Sequence, residues 1–298
     1  MSDANNTPSP AQDLDEIRVE HPLLEFARMY VRNAAAVVGL LIFLIIVFAA
    51  FFAPILLDVD PFEIVWTPLA RPGEEGFLLG TDNLGRDLFV GIVYGSRTTL
   101  AVGAAAAALT ICIGITIGSL AGYYRGWVDE VLMRITEFFQ VLPPLLLAMV
   151  LVSLFSPTLE TVAIAIGVVS WPGVARLARA EFMRIRELDF IKASRSIGAR
   201  DRRIIWNTIL PNALPPLIVN AALTVGVAIL FEAALSFLGL SDPNVMSWGK
   251  LIGDNRDFIL DAPWTVTFPG IAIFLTVLAM SLIGDGLNDA FNPKLRER

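Results

Sequence analysis

Few side chains in this 298-residue sequence are of the types that carry out chemistry on their own. There is one histidine, His21, and one cysteine, Cys112, which lies in an apolar stretch. A His/Cys metal site, a Ser-His dyad in the membrane and an intrachain disulfide therefore lack the residues that they need. The phosphate-binding pattern G-x-x-x-x-G-K-[ST] is missing, since Leu251 follows the only Gly-Lys pair, Gly249-Lys250. We expect no catalytic residue, no metal and no cofactor in this chain.

Three polar side chains in otherwise apolar stretches are the remaining candidates for a functional site. Asn220 and Thr224 are four residues apart, so they share one face of a helix, where they could line a pathway or bond to a neighbouring helix. Glu232 ends a long uncharged stretch, and an acid inside a membrane is a functional candidate. Both a structural and a gating role remain open for Glu232. We expect Cys112 to be an inert core residue.

The segment ELDFIKASRSIGARDRRIIWNTILPN, residues 187–212, is basic and has turn-forming residues at regular places. Asp189 is a suitable N-cap for about two turns of helix. Gly198 then suits the left-handed turn that ends a helix. A second helix is expected from near Asp201, and Pro211 suits the first turn of a further helix that returns to the membrane. This order of cap, turn and proline predicts a rigid elbow. The alternative is an ordinary cytoplasmic loop, which would need the positive charge but not the ordered turn-forming residues.

Long apolar stretches surround this elbow. The sequence is 55% hydrophobic and only 17% charged, while a soluble domain usually has about 25% charged residues. A bilayer core needs roughly 20 apolar helical residues. Four uncharged stretches meet that length, at residues 34–57, 98–124, 138–159 and 262–284.

Two further spans complete an all-α membrane protein with six transmembrane helices. Residues 161–175 are too few to span the bilayer core by themselves. The span can continue past them, because the long side chains of Arg176 and Arg179 can reach the membrane interface. Trp171-Pro172-Gly173 is expected to break or kink this span. Residues 211–231 form the other span.

The distribution of Lys and Arg predicts the orientation. Placing both ends in the cytoplasm puts 17 of the 22 basic residues on the cytoplasmic side. The predicted cytoplasmic parts are a tail at 1–33, the elbow and a tail at 285–298, while 58–97 is extracytoplasmic. Trp248 and Trp264 are expected to anchor at the interface. Three glycines of the second span recur every four residues on one helix face: Gly114, Gly118 and Gly122. This spacing favours close packing against another helix, and a tight contact with a mobile helix of a partner is the alternative.

The elbow resembles the coupling loop of ABC importer permeases, whose pattern is E-A-A-x-x-x-G-x9-I-x-L-P. Lys192-Ala193-Ser194 stands at the E-A-A positions, while Gly198 and Leu210-Pro211 match. Thr208 replaces the Ile. If Asp189 caps the helix, Lys192 takes the third helical position, where a Glu would complete a capping box and a Lys meets the positive helix end.

Four other segments resemble C-type permease subunits of dipeptide and oligopeptide importers. They are LLGTDNLGRDLFVGIVYGSRTTL at 78–100, EAALSFLGL at 232–240, SWGKLI at 247–252 and GDGLNDAFNPKLR at 284–296. The resemblance implies the type I importer permease fold, with a first helix at 34–57 and a five-helix transmembrane domain at 98–284. It also implies that the elbow at 187–211 couples to ATPase subunits through Asp189, Phe190, Ile191, Lys192, Ala193, Ser194, Ile197, Gly198, Leu210 and Pro211.

The same resemblance implies the partners and the location. They are a second, related permease in a heterodimer, two cytoplasmic ATPase subunits that bind ATP and Mg²⁺, an extracytoplasmic solute-binding protein and the lipid of a prokaryotic cytoplasmic membrane, with no nucleic acid. The expected function is import of dipeptides or oligopeptides. Nickel, glutathione and D,D-dipeptides remain open as cargo, because importers of these share the pattern.

Two other functional classes remain open when only the residues are considered. A channel or an ion-coupled transporter should show buried coupling acids or inverted repeats, and the sequence offers one such acid and no convincing repeat. A membrane scaffold would need no mobile partner for the elbow. Co-purification with an ATPase subunit separates the importer from both.

Overall fold

The computed structural model describes residues 22–57 and 59–291. Residues 1–21 of the tail predicted at 1–33, with His21, and the basic end at 292–298 lie outside these residues. The described part is helical and holds no β-strand, only two isolated bridges. The predicted all-α class is thus confirmed. The helices are α1 Pro22–Arg32, α2 Ala34–Leu56, α3 Leu88–Tyr124, α4 Gly126–Val141, α5 Pro144–Leu154, α6 Leu159–Arg186, α7 Asp189–Ser196, α8 Asp201–Ile204, α9 Leu210–Phe237, α10 Trp248–Asn255 and α11 Trp264–Phe291.

Five helical segments of the described chain are long and apolar enough to cross a membrane, and α4 with α5 makes a sixth if the pair is one span. We call the end of this bundle that carries α7 the elbow end, and the end that carries α10 the opposite end. The central helix is α6, since 61% of its apolar section is buried by the rest of the chain, against 17% for α2. Helix α2, the membrane-spanning helix nearest the N-terminus, is therefore a peripheral one.

The third predicted span differs from the structure. Residues 138–159 do not form one straight helix, because α4 and α5 meet at a bend of 85°. Pro143 and Pro144 explain the bend, since neither has an N–H to donate and each restricts the residue before it. The apolar run is thus divided between the end of α4 and the whole of α5.

The fourth predicted span is longer than expected and is not broken at Trp171-Pro172-Gly173. Helix α6 continues through this tripeptide to Arg186. Both Trp171 and Pro172 are buried, and the Trp171 ring packs edge-on against Phe139 of α4 at 5.4 Å. Arg179 forms a two-pronged ion pair with Asp129, with 2.7 Å between its Nη2 and one carboxylate oxygen, so tertiary contacts hold the helix together.

Glycines bring α3 and α6 together at the centre of the bundle. A Cβ on Gly118 would lie 2.2 Å from the carbonyl oxygen of Ala175, and one on Gly114 would lie 2.5 Å from Val174 Cβ. Gly122 approaches α6 in the same way. The expected close packing is thus present, and it is internal to this chain. Cys112 lies on another face of α3 and is exposed, so its predicted place in the core is wrong.

The opposite end is covered by residues 59–87 and by α10. Asp87 starts α3 by accepting hydrogen bonds from Phe89 and Val90 N–H groups, so this helix begins ten residues before its uncharged part. Trp248 is only 1% exposed and donates from its indole N–H to the Ile92 carbonyl at 2.8 Å. It is a core residue, and its predicted role as an interfacial anchor is wrong.

Candidate functional site

Helix α7 is a two-turn helix that begins one residue earlier than the sequence suggests. Leu188 has the extended backbone of an N-cap, and Asp189 is the first helical residue, with no capping hydrogen bond from a side chain. Lys192 is therefore the fourth helical residue, so the capping-box argument does not apply to it. Its ammonium group lies 3.3 Å from the Asp189 carboxylate, and both side chains are exposed. Asp189 still complements the positive end of the helix.

The end of α7 is a two-bond turn centred on Gly198, which has φ of +81°. The Gly198 N–H donates to the Arg195 carbonyl at 2.9 Å, and the Ala199 N–H donates to the Ser194 carbonyl at 3.1 Å. This is the Schellman arrangement, which a glycine at the left-handed position favours. No atom lies within 4 Å of the place of a Gly198 Cβ, so the backbone alone requires glycine here.

One residue anchors α7 in the protein. Ile191 is fully buried, and its burial contributes roughly 1.5–3 kcal/mol to stability. It belongs to a cluster that joins the ends of four helices, formed by Tyr123, Ala178, Phe182, Ile185, Ile204, Ile205, Ile209, Ala213 and Leu217. The elbow is therefore packed on α3, α6 and α9 together.

The outer face of α7 is left free by this packing. Phe190 is 45% exposed and Ile197 is 85% exposed, and Lys192, Ala193 and Arg195 are exposed as well. Ser194 is half-buried and donates to the Phe190 carbonyl of its own helix. The face thus combines exposed apolar side chains with the positive charges of Lys192 and Arg195.

Tyr123 joins the elbow to the end of α3. Its hydroxyl donates to the Asp201 carboxylate at 2.5 Å. The guanidinium groups of Arg195 and Arg186 lie 5.2 and 5.8 Å from the centre of its ring, within the range of cation–π attraction. One aromatic side chain of α3 therefore contacts α6, α7 and α8. No sequence pattern pointed to Tyr123, because its hydrogen-bond partner is 78 residues away.

The second helix of the elbow continues into the span without the break that was expected at Pro211. Helix α8, a π-helical turn at Ile205–Ile209 and α9 form one continuous helix, Asp201–Phe237. The Leu210 N–H donates to the Ile205 carbonyl, five residues back. This wider turn accommodates Pro211, which has no N–H to donate. Leu210 packs partly against the Ile191 cluster, and Pro211 is exposed.

The three polar residues predicted in the fifth span do not form one site. Thr224 donates to the Asn220 carbonyl at 2.8 Å, so this pair bonds within its own helix, and among the described residues it bonds to no other helix. Glu232 is 3% exposed and lies inside α9, not at its end. It accepts hydrogen bonds from the hydroxyls of Ser236, at 2.8 Å, and Thr99, at 3.4 Å.

Glu232 is part of a polar network at the opposite end. The Thr99 hydroxyl, which donates to Glu232, accepts a hydrogen bond from the Trp248 backbone N–H at 3.2 Å. Ser247 caps α10 by accepting from the Lys250 N–H. The carboxylate thus connects α9, α3 and the start of α10 in a buried position, where each hydrogen bond matters to stability. In the part of the chain that the structure describes, no group of three His, Cys, Asp or Glu residues could hold a metal ion.

Comparisons with known proteins agree with this arrangement of helices. The family model described as "Binding-protein-dependent transport system inner membrane component" matches residues 114–297. The model described as "N-terminal TM domain of oligopeptide transport permease C" matches residues 22–72.

Two relatives and one solved structure show how far the similarity extends. The Dipeptide transport system permease protein DppC of Alkalihalophilus pseudofirmus is 41% identical over 298 residues, which cover 99% of this chain and 97% of that protein. The Di/tripeptide transport system permease protein DppC of Pseudomonas aeruginosa is 41% identical, with 97% of each chain covered. The inward-facing MetNI methionine ABC transporter has a chain with a TM-score of 0.58 and 22% identity, over 66% of this chain and 94% of that one. This last likeness supports the fold alone.

Proposed function

The chain belongs to the family of binding-protein-dependent transport system inner membrane components, and on this premise we propose that it is the permease subunit of an ATP-driven importer of dipeptides or oligopeptides. It is an integral inner membrane protein with the type I ABC importer permease fold. Relatives named for dipeptide, di/tripeptide and oligopeptide transport support this cargo class, and one named for glutathione transport is 38% identical. The elbow is the observation that carries the rest of the proposal.

Helix α7 is the part of the chain that an ATPase subunit binds. Its inner face is fixed by Ile191, while Phe190 and Ile197 offer exposed apolar contacts next to Lys192 and Arg195. An exposed apolar patch with a charged rim is typical of a protein–protein contact. This face fits a groove that is apolar at its centre and acidic at its edge.

Movement of α7 reaches the membrane through two rigid connections. The first is the continuous helix from Asp201 to Phe237, which follows α7 after the turn at Gly198. The second is Tyr123, which contacts Asp201 and Arg195 from the end of α3. Because packed helices move as units, a shift of α7 changes the tilt of α3 and α9 together.

The energy for this movement comes from partner subunits. ATP with Mg²⁺ binds on two cytoplasmic ATPase subunits, whose closure displaces α7. A second, related permease supplies the other half of the pathway, and an extracytoplasmic solute-binding protein delivers the peptide. Both ends of this chain lie in the cytoplasm, as the basic residues predict.

Ile197→Asp tests the contact between α7 and the ATPase. Because Ile197 is 85% exposed, the substitution leaves the fold of the chain intact and places a charge in the proposed apolar contact. We expect the amount of ATPase subunit that co-purifies with the tagged permease pair to fall by about fivefold or more, as for a central residue of an interface.

Leu260→Asp is the matched control, since Leu260 is 94% exposed and lies at the opposite end of the bundle. It introduces the same charge and should not change the yield of ATPase subunit. Equal yields from Ile197→Asp and the unaltered chain would show that α7 is not the docking element. Loss of ATPase from both variants alike would show a general defect of the complex.

A further inference from the structure

A cavity of about 620 Å³ opens at the opposite end of the bundle, roughly 40 Å along α3 from the elbow. Its volume is in the range of ligand-binding pockets. Four separate parts of the chain form it: the segment after α2, the first turns of α3, the start of α6 and the connection from α9 to α10. The side chains used below are Asp60, Phe62, Tyr94, Arg97, Asn244 and Met246.

Among the described residues that line the cavity, one is a cation and one is an anion, and the two do not pair with each other. Arg97 is exposed, and among the described residues its side chain has neither an ion pair nor a hydrogen bond. Asp60 is exposed too, and only its Oδ1 is engaged, by the Phe62 N–H at 2.9 Å. A guanidinium group binds a carboxylate through two parallel hydrogen bonds, and a free carboxylate oxygen accepts from an ammonium group.

The remaining lining is suited to side chains of varied type. Phe62 and Tyr94 are partly exposed and present aromatic surface to apolar groups, with the buried Met246 behind them. The Asn244 amide can donate and accept hydrogen bonds. Tyr94 is held in place, since its hydroxyl donates to the Leu57 carbonyl at 2.8 Å. The cavity therefore combines an aromatic side chain held in place by a hydrogen bond with two charged groups of opposite sign, and no part of its described lining selects one type of ligand side chain.

We propose that this cavity is a receiving site for the zwitterionic main chain of a short peptide, with Arg97 binding its C-terminal carboxylate and Asp60 its N-terminal ammonium group. This inference rests on the proposed peptide import, and names the first contact of the cargo with this subunit. A free dipeptide carries both charges a short distance apart whatever its side chains are. Recognition of its termini therefore gives selection for short peptides without selection by sequence.

The test is photo-crosslinking on the full complex with its solute-binding protein. A dipeptide with free termini and a diazirine side chain is supplied at saturating concentration, and adducts on this chain are located by mass spectrometry. We expect adducts within 94–101 and 244–246 in the unaltered complex. Arg97→Gln should lower their yield by about five- to tenfold, the loss expected for one hydrogen-bonded ion pair, and Arg97→Lys should retain part of it.

Arg71→Gln is the matched control, because Arg71 is an exposed arginine at the same end that does not line the cavity. It should leave the adducts unchanged. Asp60→Asn provides an independent measurement and should lower the yield even if Arg97→Gln prevents assembly.

Three results would overturn the inference. One is equal adduct yield in Arg97→Gln and the unaltered complex while both import the peptide, which would leave the proposed function standing. Another is adducts only outside the cavity, as expected if the partner permease fills it. The third is an unchanged yield in Arg97→Gln with less co-purified phospholipid, which would assign Arg97 to lipid binding. Failure of the unaltered complex to import any peptide would instead contradict the proposed function.

Discussion

Gly198 is the elbow residue at which the effect of backbone conformation can be tested apart from side-chain packing within the chain. With φ of +81° and no atom of the described chain within 4 Å of an added Cβ, a substitution affects the stability of the chain itself through the backbone. We expect Gly198→Val to cost at least roughly 1–2 kcal/mol in the left-handed conformation, or to change the turn. The turn sets the angle between α7 and the helix from Asp201. Peptide uptake per ATP hydrolysed, measured on the complex in liposomes, should therefore fall severalfold.

Gly198→Asn provides the comparison, since asparagine tolerates positive φ better than other residues with a side chain. It should retain more coupled uptake than Gly198→Val, while peptide binding by the separate solute-binding protein is unchanged in both. Normal coupling by Gly198→Val in fully assembled complex would contradict the role given to this turn.

The sequence predicts the elbow itself better than it predicts the contacts that join the elbow to the transmembrane helices. Gly198 is recognisable because a single local requirement, positive φ, selects glycine. Asp189 was misplaced by one position, because an acid in the first turn and an acid at the N-cap look alike in sequence. Tyr123 was missed altogether, because its partners belong to other helices and no local pattern records such contacts.

At the scale of helices, uncharged length was a good guide near the two ends of the described chain, although a single proline lies inside each helix there. The stretch at 262–284 forms most of α11, which continues to Phe291, and the stretch at 34–57 corresponds closely to α2. The stretch at 138–159 does not form one helix, because adjacent prolines bend the chain there. Helix α3 extends beyond its uncharged part, because the cap at Asp87 and the exposure of Arg97 allow a charged first section. Hydropathy alone contains neither piece of information.

Gly118→Ala tests the close packing of α3 on α6. The new methyl group would lie 2.2 Å from the Ala175 carbonyl oxygen and 2.7 Å from Ala178 Cβ, so one helix must shift. We expect a loss of about 1–3 kcal/mol, the cost of overpacking, seen as a lower midpoint of thermal unfolding of the purified complex.

Gly173→Ala is the matched control within α6, since no atom lies within 4 Å of the place of its Cβ. Alanine is favoured over glycine in a helix by about 1 kcal/mol, so this variant should unfold at the same temperature or higher. An equal decrease for both variants would mean that helix propensity or assembly, and not the α3–α6 contact, determines the result.

At the scale of the whole molecule, the two ends have different chemistry. The elbow end carries the exposed face of α7 and a cavity of about 570 Å³ lined by Arg200, Arg202, Arg203, Trp206 and Asn207. The opposite end carries a network of hydroxyls around the Glu232 carboxylate, and an ion pair between Arg86 and Asp82, both buried. One end is suited to contact with an energy-supplying partner, and the other to receiving cargo.

The orientation of these two ends in the membrane is the last prediction. Single cysteines replace Glu74 and Arg200 in a Cys112→Ser background, which is needed because Cys112 is exposed. Both positions are exposed, Glu74 at the opposite end and Arg200 in the elbow. In right-side-out membrane vesicles, an impermeant thiol reagent should label the cysteine at position 74 at once and the one at position 200 only after the membrane is permeabilised. This follows from the 17 basic residues placed inside. Immediate labelling at position 200 with protection at position 74 would show that the orientation is the reverse of the predicted one. The elbow would then face away from cytoplasmic ATP, and no ATPase could grip it.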